Sequence, residues 1–161
     1  MSLIIREMQM EDIAQVQHVA KTSWHHTYDG IIPFEIQENF LKAAYNDEMM
    51  QKRLEHSLII VAVEDDKIVG FANFSPVREE GKVELAAIYL YPEAQGKGIG
   101  TMLLEKGIEK SLGVKAIFIN VEKENLVGKN FYDAKGFEVV SEFDDDFDGH
   151  ILKTTRMVLN V

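Results

Sequence analysis

The apolar run Leu3-Ile4-Ile5 before Arg6 reads as a short first strand. The period then changes. Ile13, Val16, Ala20 and Trp24 recur at spacings of three and four, and Glu11 and Asp12 fall where the first turn of a helix favours negative charge. Asp29-Gly30-Ile31-Ile32-Pro33 breaks that helix. Shorter helical patterns follow over Phe34 to Ala44 and over Asp47 to His56, the second with Met50 and Leu54 on one face. Leu58 to Val63 and Ile68 to Phe74 are β-branched runs separated by Asp65-Asp66-Lys67, the signature of a β-hairpin. A further strand runs from Val83 to Leu90 and stops at Pro92. A helix is expected from Ile99 to Leu112, with Leu104, Ile108 and Leu112 as its apolar stripe and Gly113 as its stop. Ala116 to Val121 reads as a buried strand. Leu126 to Lys135 reads as a helix carrying Val127, Phe131 and Ala134 and closed by Gly136. Phe137 to Phe143 and Leu152 to Leu159 are the last strands, flanking an acidic loop. The order β-α-α-α-β-β-β-α-β-α-β-β predicts an α/β protein with a mixed sheet.

Composition narrows the chemistry. With 161 residues, 46% of them hydrophobic and 27% charged, one folded domain over residues 1–161 is expected. The absence of cysteine excludes disulfides, cysteine zinc sites and a thiol nucleophile. No basic leader precedes a long apolar run, and no stretch reaches the roughly 18 apolar residues of a membrane span. A soluble cytoplasmic protein is the expectation, without a membrane partner. The 27 acidic residues outnumber the 17 basic ones, giving a net charge of −10. That disfavours a nucleic-acid backbone as partner and suits a cationic small molecule, although acidity also serves solubility alone.

The densest chemical signal is Tyr91-Pro92-Glu93-Ala94-Gln95-Gly96-Lys97-Gly98-Ile99-Gly100-Thr101. A strand ends, glycines alternate, and a helix begins. Glycines permit positive φ and close backbone approach, and a helix N-terminus offers unpaired N–H groups with a positive dipole end. Together they form an anion cradle suited to a pyrophosphate, with Lys97 as a nearby cation, although a glycine-rich strand-to-helix turn without a ligand is the other reading of the glycines alone. Neither the Walker spacing nor the G-x-G-x-x-G dinucleotide fingerprint fits.

Gln95-x-x-Gly98-x-Gly100 resembles the acyl-CoA pyrophosphate loop of the GNAT superfamily of N-acetyltransferases. Ile88-Tyr89-Leu90-Tyr91-Pro92-Glu93 is similar to the strand that leads into it. Asn125-x-x-Gly128-x-x-Phe131-Tyr132-x-x-x-Gly136-Phe137 resembles that family's second motif, with Gly128 where alanine is usual. Trp24 to Pro33 looks like the first-helix exit of small bacterial members, including relatives of polyamine acetyltransferases.

The resemblance implies a fold whose mixed central sheet is splayed between the fourth and fifth strands, with helices on both faces. It implies acetyl-CoA as cofactor, its pantetheine arm pairing with the backbone of Ile88, Tyr89 and Leu90. The pyrophosphate would take N–H groups from Gln95, Gly96, Lys97, Gly98, Ile99, Gly100 and Thr101, with an amide near Ile88 as oxyanion donor. Asn125 would tether the pantetheine or cap its helix, and Lys129 would oppose the global negative field. Tyr132 matches the tyrosine that protonates the leaving thiolate. Glu84 matches the position of a general base, although a charged residue on a strand face is an equal reading. Trp24 and Tyr28 would line the acceptor pocket. His25 and His26 read more readily as exposed helix-end residues than as site residues, and no metal site is expected. The acidic run Asp144-Asp145-Asp146-Phe147-Asp148 would border the acceptor pocket, either as a solvated loop or as a collector of polycations.

The activity so implied is direct transfer of an acetyl group to a primary amine, with a small cationic acceptor such as a polyamine favoured. Alternatives are a non-catalytic acyl-CoA-binding sensor and an acetyltransferase of a protein amine. Family members commonly pair through their final strands, so a homodimer is a further expectation.

Overall fold

The computed structural model describes residues 2–161. Its strands are β1 (Leu3–Glu7), β2 (Leu58–Glu64), β3 (Lys67–Phe74), β4 (Lys82–Leu90), β5 (Ala116–Glu122), β6 (Glu138–Phe147) and β7 (His150–Asn160). Its α-helices are α1 (Ile13–Tyr28), α2 (Phe34–Ala44), α3 (Asp47–His56), α4 (Ile99–Lys110) and α5 (Leu126–Ala134). The strands form one seven-stranded sheet in the order β1-β2-β3-β4-β5-β7-β6. Every pairing is antiparallel except that of β4 with β5.

The two faces carry separate cores. On one, Val16, Val19 and Ala20 of α1 and Leu41 of α2 pack on Val61, Phe71 and Ala87. On the other, Leu103 and Leu104 of α4 pack with Phe74, Val83, Leu85, Ile117 and Met157, and Tyr132 of α5 joins them. Fully burying a side chain such as Phe74 contributes about 1.5–3 kcal/mol. The α4 helix lies so close to β3 that a Cβ on Gly107 would sit 2.0 Å from the Phe74 ring.

The parallel pairing is short. Only Lys82 to Glu84 are paired with Ala116 to Phe118. Beyond that point β4 runs on to Leu90 and β5 to Glu122 without bonding to each other. The cause is local: opposite Asn73 and Phe74 the register of β4 slips, so that Leu85 and Ala87 are paired and Ala86 is extra. Such a bulge bends and twists its strand. It also resets the alternation. Leu85 faces the α4 core, as do Ile88 and Leu90 beyond the bulge, whereas Ala87 and Tyr89 turn to the α1 side.

Several expectations need correction. The α4 helix ends at Lys110, and Leu112, expected in its apolar stripe, is 85% exposed. Val127 of α5 is exposed as well. The acidic run is not a loop. Asp144, Asp145 and Asp146 belong to β6, and the turn is confined to Asp148 and Gly149, which both have positive φ. Cross-strand pairing with β7 outweighs the low strand propensity of aspartate. No helix among the described residues is long and apolar enough to cross a membrane.

Candidate active site

The gap between β4 and β5 opens into a cleft of about 560 Å³. One wall is β4 from Leu85 to Leu90. The other is Asn120 and Val121 of β5 together with Asn125, Gly128, Phe131, Tyr132 and Lys135 at and within α5. Ser23, Trp24, Thr27 and Tyr28 of α1 close one mouth, and Gln95, Gly96, Gly98, Gly100 and Thr101 line the other.

The open edge of β4 is chemically directional. Tyr91 donates its N–H to Val69 O at 2.9 Å, toward β3. Strand N–H groups alternate in direction, so Tyr89 also points toward β3. Ile88 and Leu90 therefore direct their N–H groups into the cleft, where an added extended chain can take them.

At the far mouth, Gly96 and Gly98 have φ of +76° and +81°. These left-handed conformations are costly for other residues. A Cβ at either position would meet only open space, so backbone conformation is what requires glycine there. Gly98 is the N-cap of α4 and has no side chain to occupy the first-turn N–H groups. Those donors, with the helix dipole behind them, form an anion cradle. Ile99 is 1% exposed and anchors the turn in the core, so only its backbone is available to a ligand. Lys97 is exposed and forms no ion pair among the described residues.

Tyr132 is buried to 9% exposure. Its hydroxyl makes no hydrogen bond among the described residues and lines the cleft. Burial, reinforced by the phenols of Tyr89 and Tyr28, pushes its ionisation well above the ordinary range. It therefore keeps its proton at neutral pH and serves as a donor. Trp24 donates Nε1–H to the Tyr89 hydroxyl at 2.8 Å, tying α1 to β4 beside the gap. Asn125 caps α5 by accepting the Gly128 N–H at 3.0 Å.

Other expected site residues lie elsewhere. Glu84 is not free. Its carboxylate is held by the Arg156 guanidinium, which also donates to Asn120 Oδ1 at 3.0 Å and lies 4.8 Å from the Phe118 ring centre. Glu84 sits at the closed foot of the gap and does not line it. The guanidinium takes both carboxylate oxygens; this geometry does not support the base assignment. Lys129 turns away from the cleft and pairs with Asp133 at 3.3 Å. Lys135 lines it instead. The helical period gives the reason: from Gly128, steps of three and four select Phe131, Tyr132 and Lys135. His25 joins α1 to α2 through Gln37 Oε1 at 2.8 Å and Glu38 Oε2 at 2.9 Å, and His26 is exposed.

Sequence reading also missed Ser23, Thr27 and Asn120 in the cleft wall and the raised ionisation of Glu122. Burial is the main cause of the latter, and Glu122 Oε2 accepts the Glu124 N–H at 2.7 Å. The alternation of β5 carried a signal for Asn120 and Glu122, two polar positions between Ile119 and Val121 and beyond it.

The acidic residues of the hairpin divide. Asp144 pairs with Lys153 at 3.7 Å, Asp146 Oδ1 accepts the Gly149 N–H at 2.9 Å, and Asp148 accepts from Asn39 Nδ2 at 3.3 Å. Asp145 makes no ion pair or side-chain hydrogen bond among the described residues. It alternates with Phe147, which stacks on Trp24 at 5.9 Å, and lies opposite the buried Leu152. It therefore shares the face on which α1 and the near mouth of the cleft lie.

The profile of the acetyltransferase (GNAT) family matches residues 16–137. A spermidine N(1)-acetyltransferase of Thermoplasma acidophilum is 34% identical over 155 residues, covering 91% of this chain and 95% of that protein. A peptidyl-lysine N-acetyltransferase, YjaB, of Salmonella typhimurium is 32% identical over 113 residues, covering 66% of this chain and 72% of that protein. The crystal structure of a PaiA N-acetyltransferase from Thermoplasma acidophilum in complex with coenzyme A superposes with a TM-score of 0.85 at 30% identity, over 100% of both chains.

Proposed function

This chain belongs to the GNAT family of acetyltransferases, with acetyl-CoA as its acyl donor, and on that footing we propose that its acceptor is a primary amine of a small polycation of the spermidine type. The observation that carries the acceptor class is the similarity, over nearly the full length of both chains, to a spermidine acetyltransferase. The net charge of −10 and the uncommitted Asp145 on the cleft-mouth face agree with it.

On this reading the pyrophosphate lies in the Gly96–Gly98 cradle and the pantetheine extends along the open edge of β4. The Ile88 and Leu90 N–H groups then hold its amides and the thioester oxygen. The neutral amine attacks the carbonyl carbon from the α1 side. A tetrahedral oxyanion forms and is stabilised by backbone N–H donation. The C–S bond then breaks, and the sulfur takes the Tyr132 hydrogen bond as the amide forms. The amine proton leaves to solvent, because Glu84 is engaged by Arg156.

A second reading, acetylation of a protein lysine, is favoured by the similarity to a peptidyl-lysine acetyltransferase over two thirds of the chain. Competing acceptors separate the two. With spermidine and a lysine peptide together at limiting acetyl-CoA, the first reading predicts acetyl-spermidine as the main product. Predominant acetyl-peptide establishes the second.

A further inference from the structure

The cleft of this acidic protein is lined by no carboxylate. Among the described side chains that line it, Lys135 alone carries a charge. Glu84 lies at its foot in the grip of Arg156. An amine inside the cleft therefore finds acceptors for its N–H groups only in hydroxyls, side-chain amides and backbone carbonyls. The amide oxygens of Asn120 and Asn125 are taken, by Arg156 and by the Gly128 N–H. The Tyr89 hydroxyl already accepts the Trp24 Nε1–H, and Tyr132 stands on the opposite wall, in α5. What remains on the near side is one stripe of α1 that carries Ser23, Thr27 and Tyr28.

Ser23 is the enclosed member of that stripe. It is 4% exposed, whereas Thr27 and Tyr28 are half-buried. A helical serine can return its hydroxyl to the carbonyl one turn back, as Ser57 does to Arg53 O at 2.6 Å. Ser23 makes no such bond to Val19 O and no other side-chain hydrogen bond among the described residues. The one buried side-chain polar atom among them that is sealed without a partner is Thr155 Oγ1, so the Ser23 oxygen is reached from the cleft. The next residue, Trp24, ties this turn of α1 to Tyr89, which adjoins Ile88 on β4. An enclosed hydroxyl without a protein partner is one that a ligand or water has to satisfy.

We propose that Ser23 is a specificity residue for the acceptor, its Oγ accepting an N–H of the attacking amine and holding that nitrogen neutral, with its lone pair turned to the thioester carbon. A neutral primary amine has two N–H groups and one lone pair, and only the lone pair can attack. A hydroxyl takes an N–H without favouring the ammonium form. A carboxylate in the same place would favour ammonium, which has no lone pair. This deepens the acetyl-transfer reading and rests on it, but it holds for a polyamine and a lysine side chain alike.

Three variants test it, with whichever of spermidine and the lysine peptide turns over. Ser23→Ala removes the oxygen and favours the helix. Ser23→Cys refills the volume with a weak acceptor. Both should lose about tenfold in kcat/KM for the amine at saturating acetyl-CoA, the scale of one hydrogen bond. Neither should change the Kd of coenzyme A, measured calorimetrically without amine, by more than about twofold, and Ser23→Ala should melt no lower than the wild type. Ser23→Asp should move the rising limb of the pH–kcat profile to higher pH, because the bound amine then holds its proton more tightly. Wild-type kcat/KM in Ser23→Ala, recovery of activity in Ser23→Cys, a coenzyme A Kd weakened as much as the amine kinetics, or an unmoved limb in Ser23→Asp would overturn the proposal. A wild-type protein that acetylates neither amine would remove the acetyl-transfer reading and the proposal with it, whereas active variants that match an active wild type would remove the proposal alone.

Discussion

Arg156 on β7 reaches across β5 and grips the carboxylate of Glu84 on β4, with Asn120 of β5 taking a third hydrogen bond from the same guanidinium. The grip falls on the last residue of β4 that pairs with β5, where the sheet begins to part. It straps three strands at the foot of the cleft. Glu84→Gln is therefore expected to lower stability by about 1 kcal/mol, the scale of a partly exposed ion pair. It should cost kcat less than tenfold. A loss of about a hundredfold or more, the signature of a removed general base, with unchanged melting would restore Glu84 to the chemistry.

Tyr132→Phe addresses the other end of the reaction. Removing the hydroxyl leaves the ring packed against Phe131 and Phe137. We expect kcat to fall about tenfold to a hundredfold while the KM for acetyl-CoA stays within about twofold. Steady-state thiol release measures both. A rise in KM at unchanged kcat would make Tyr132 a wall of the cleft and nothing more.

Gly98→Ala places a side chain where φ is +81° but where no atom obstructs it. The cost is conformational, about 1–2 kcal/mol in stability. Relaxation of that turn disperses the N–H cradle. The KM for acetyl-CoA should rise severalfold, with the acceptor KM unchanged. An acceptor KM that moves equally would place the cradle's role elsewhere.

Burial lifts the hydroxyls of Tyr28, Tyr45 and Tyr132 above the ordinary phenol value of about 10. The folded chain thus binds these protons more tightly than the unfolded chain does. The associated stability is complete below pH about 10 and is lost as pH rises toward the folded values. Urea midpoints should fall steeply above pH 10, and Tyr132→Phe should flatten that fall. An identical slope in the variant would show that Tyr132 does not carry the difference.

Asp145 is the hairpin aspartate without an ion pair or side-chain hydrogen bond among the described residues, so Asp145→Asn should raise the KM for spermidine and weaken its salt dependence. Asp144→Asn, which loses only the contact to Lys153, should not. Equal effects from the two would reduce the hairpin's role to its summed charge.

The elements were legible in the sequence wherever burial imposed a period. The Leu58 to Phe74 hairpin, α2 and α3 lie where the spacing puts them. The glycine turn at the far mouth of the cleft was legible as well, because alternating glycines between a strand and a helix leave few other structures. The bulge at Ala86 was not. Two adjacent alanines give no hint of which one is extra, yet this residue decides that Ile88 faces away from the side on which Glu84 lies. The Glu84 clamp was equally hidden, since its partner is 72 residues distant. The aspartates of β6 obeyed their cross-strand partners and not their propensity.

The most direct test of the central claim is product analysis by mass spectrometry after incubation with acetyl-CoA, spermidine and a lysine peptide, with thiol release followed in parallel. The account predicts one acetyl group on spermidine for each thiol released, at a rate reduced in Tyr132→Phe. Coenzyme A binding without thiol release or acetylated product on either amine would contradict it.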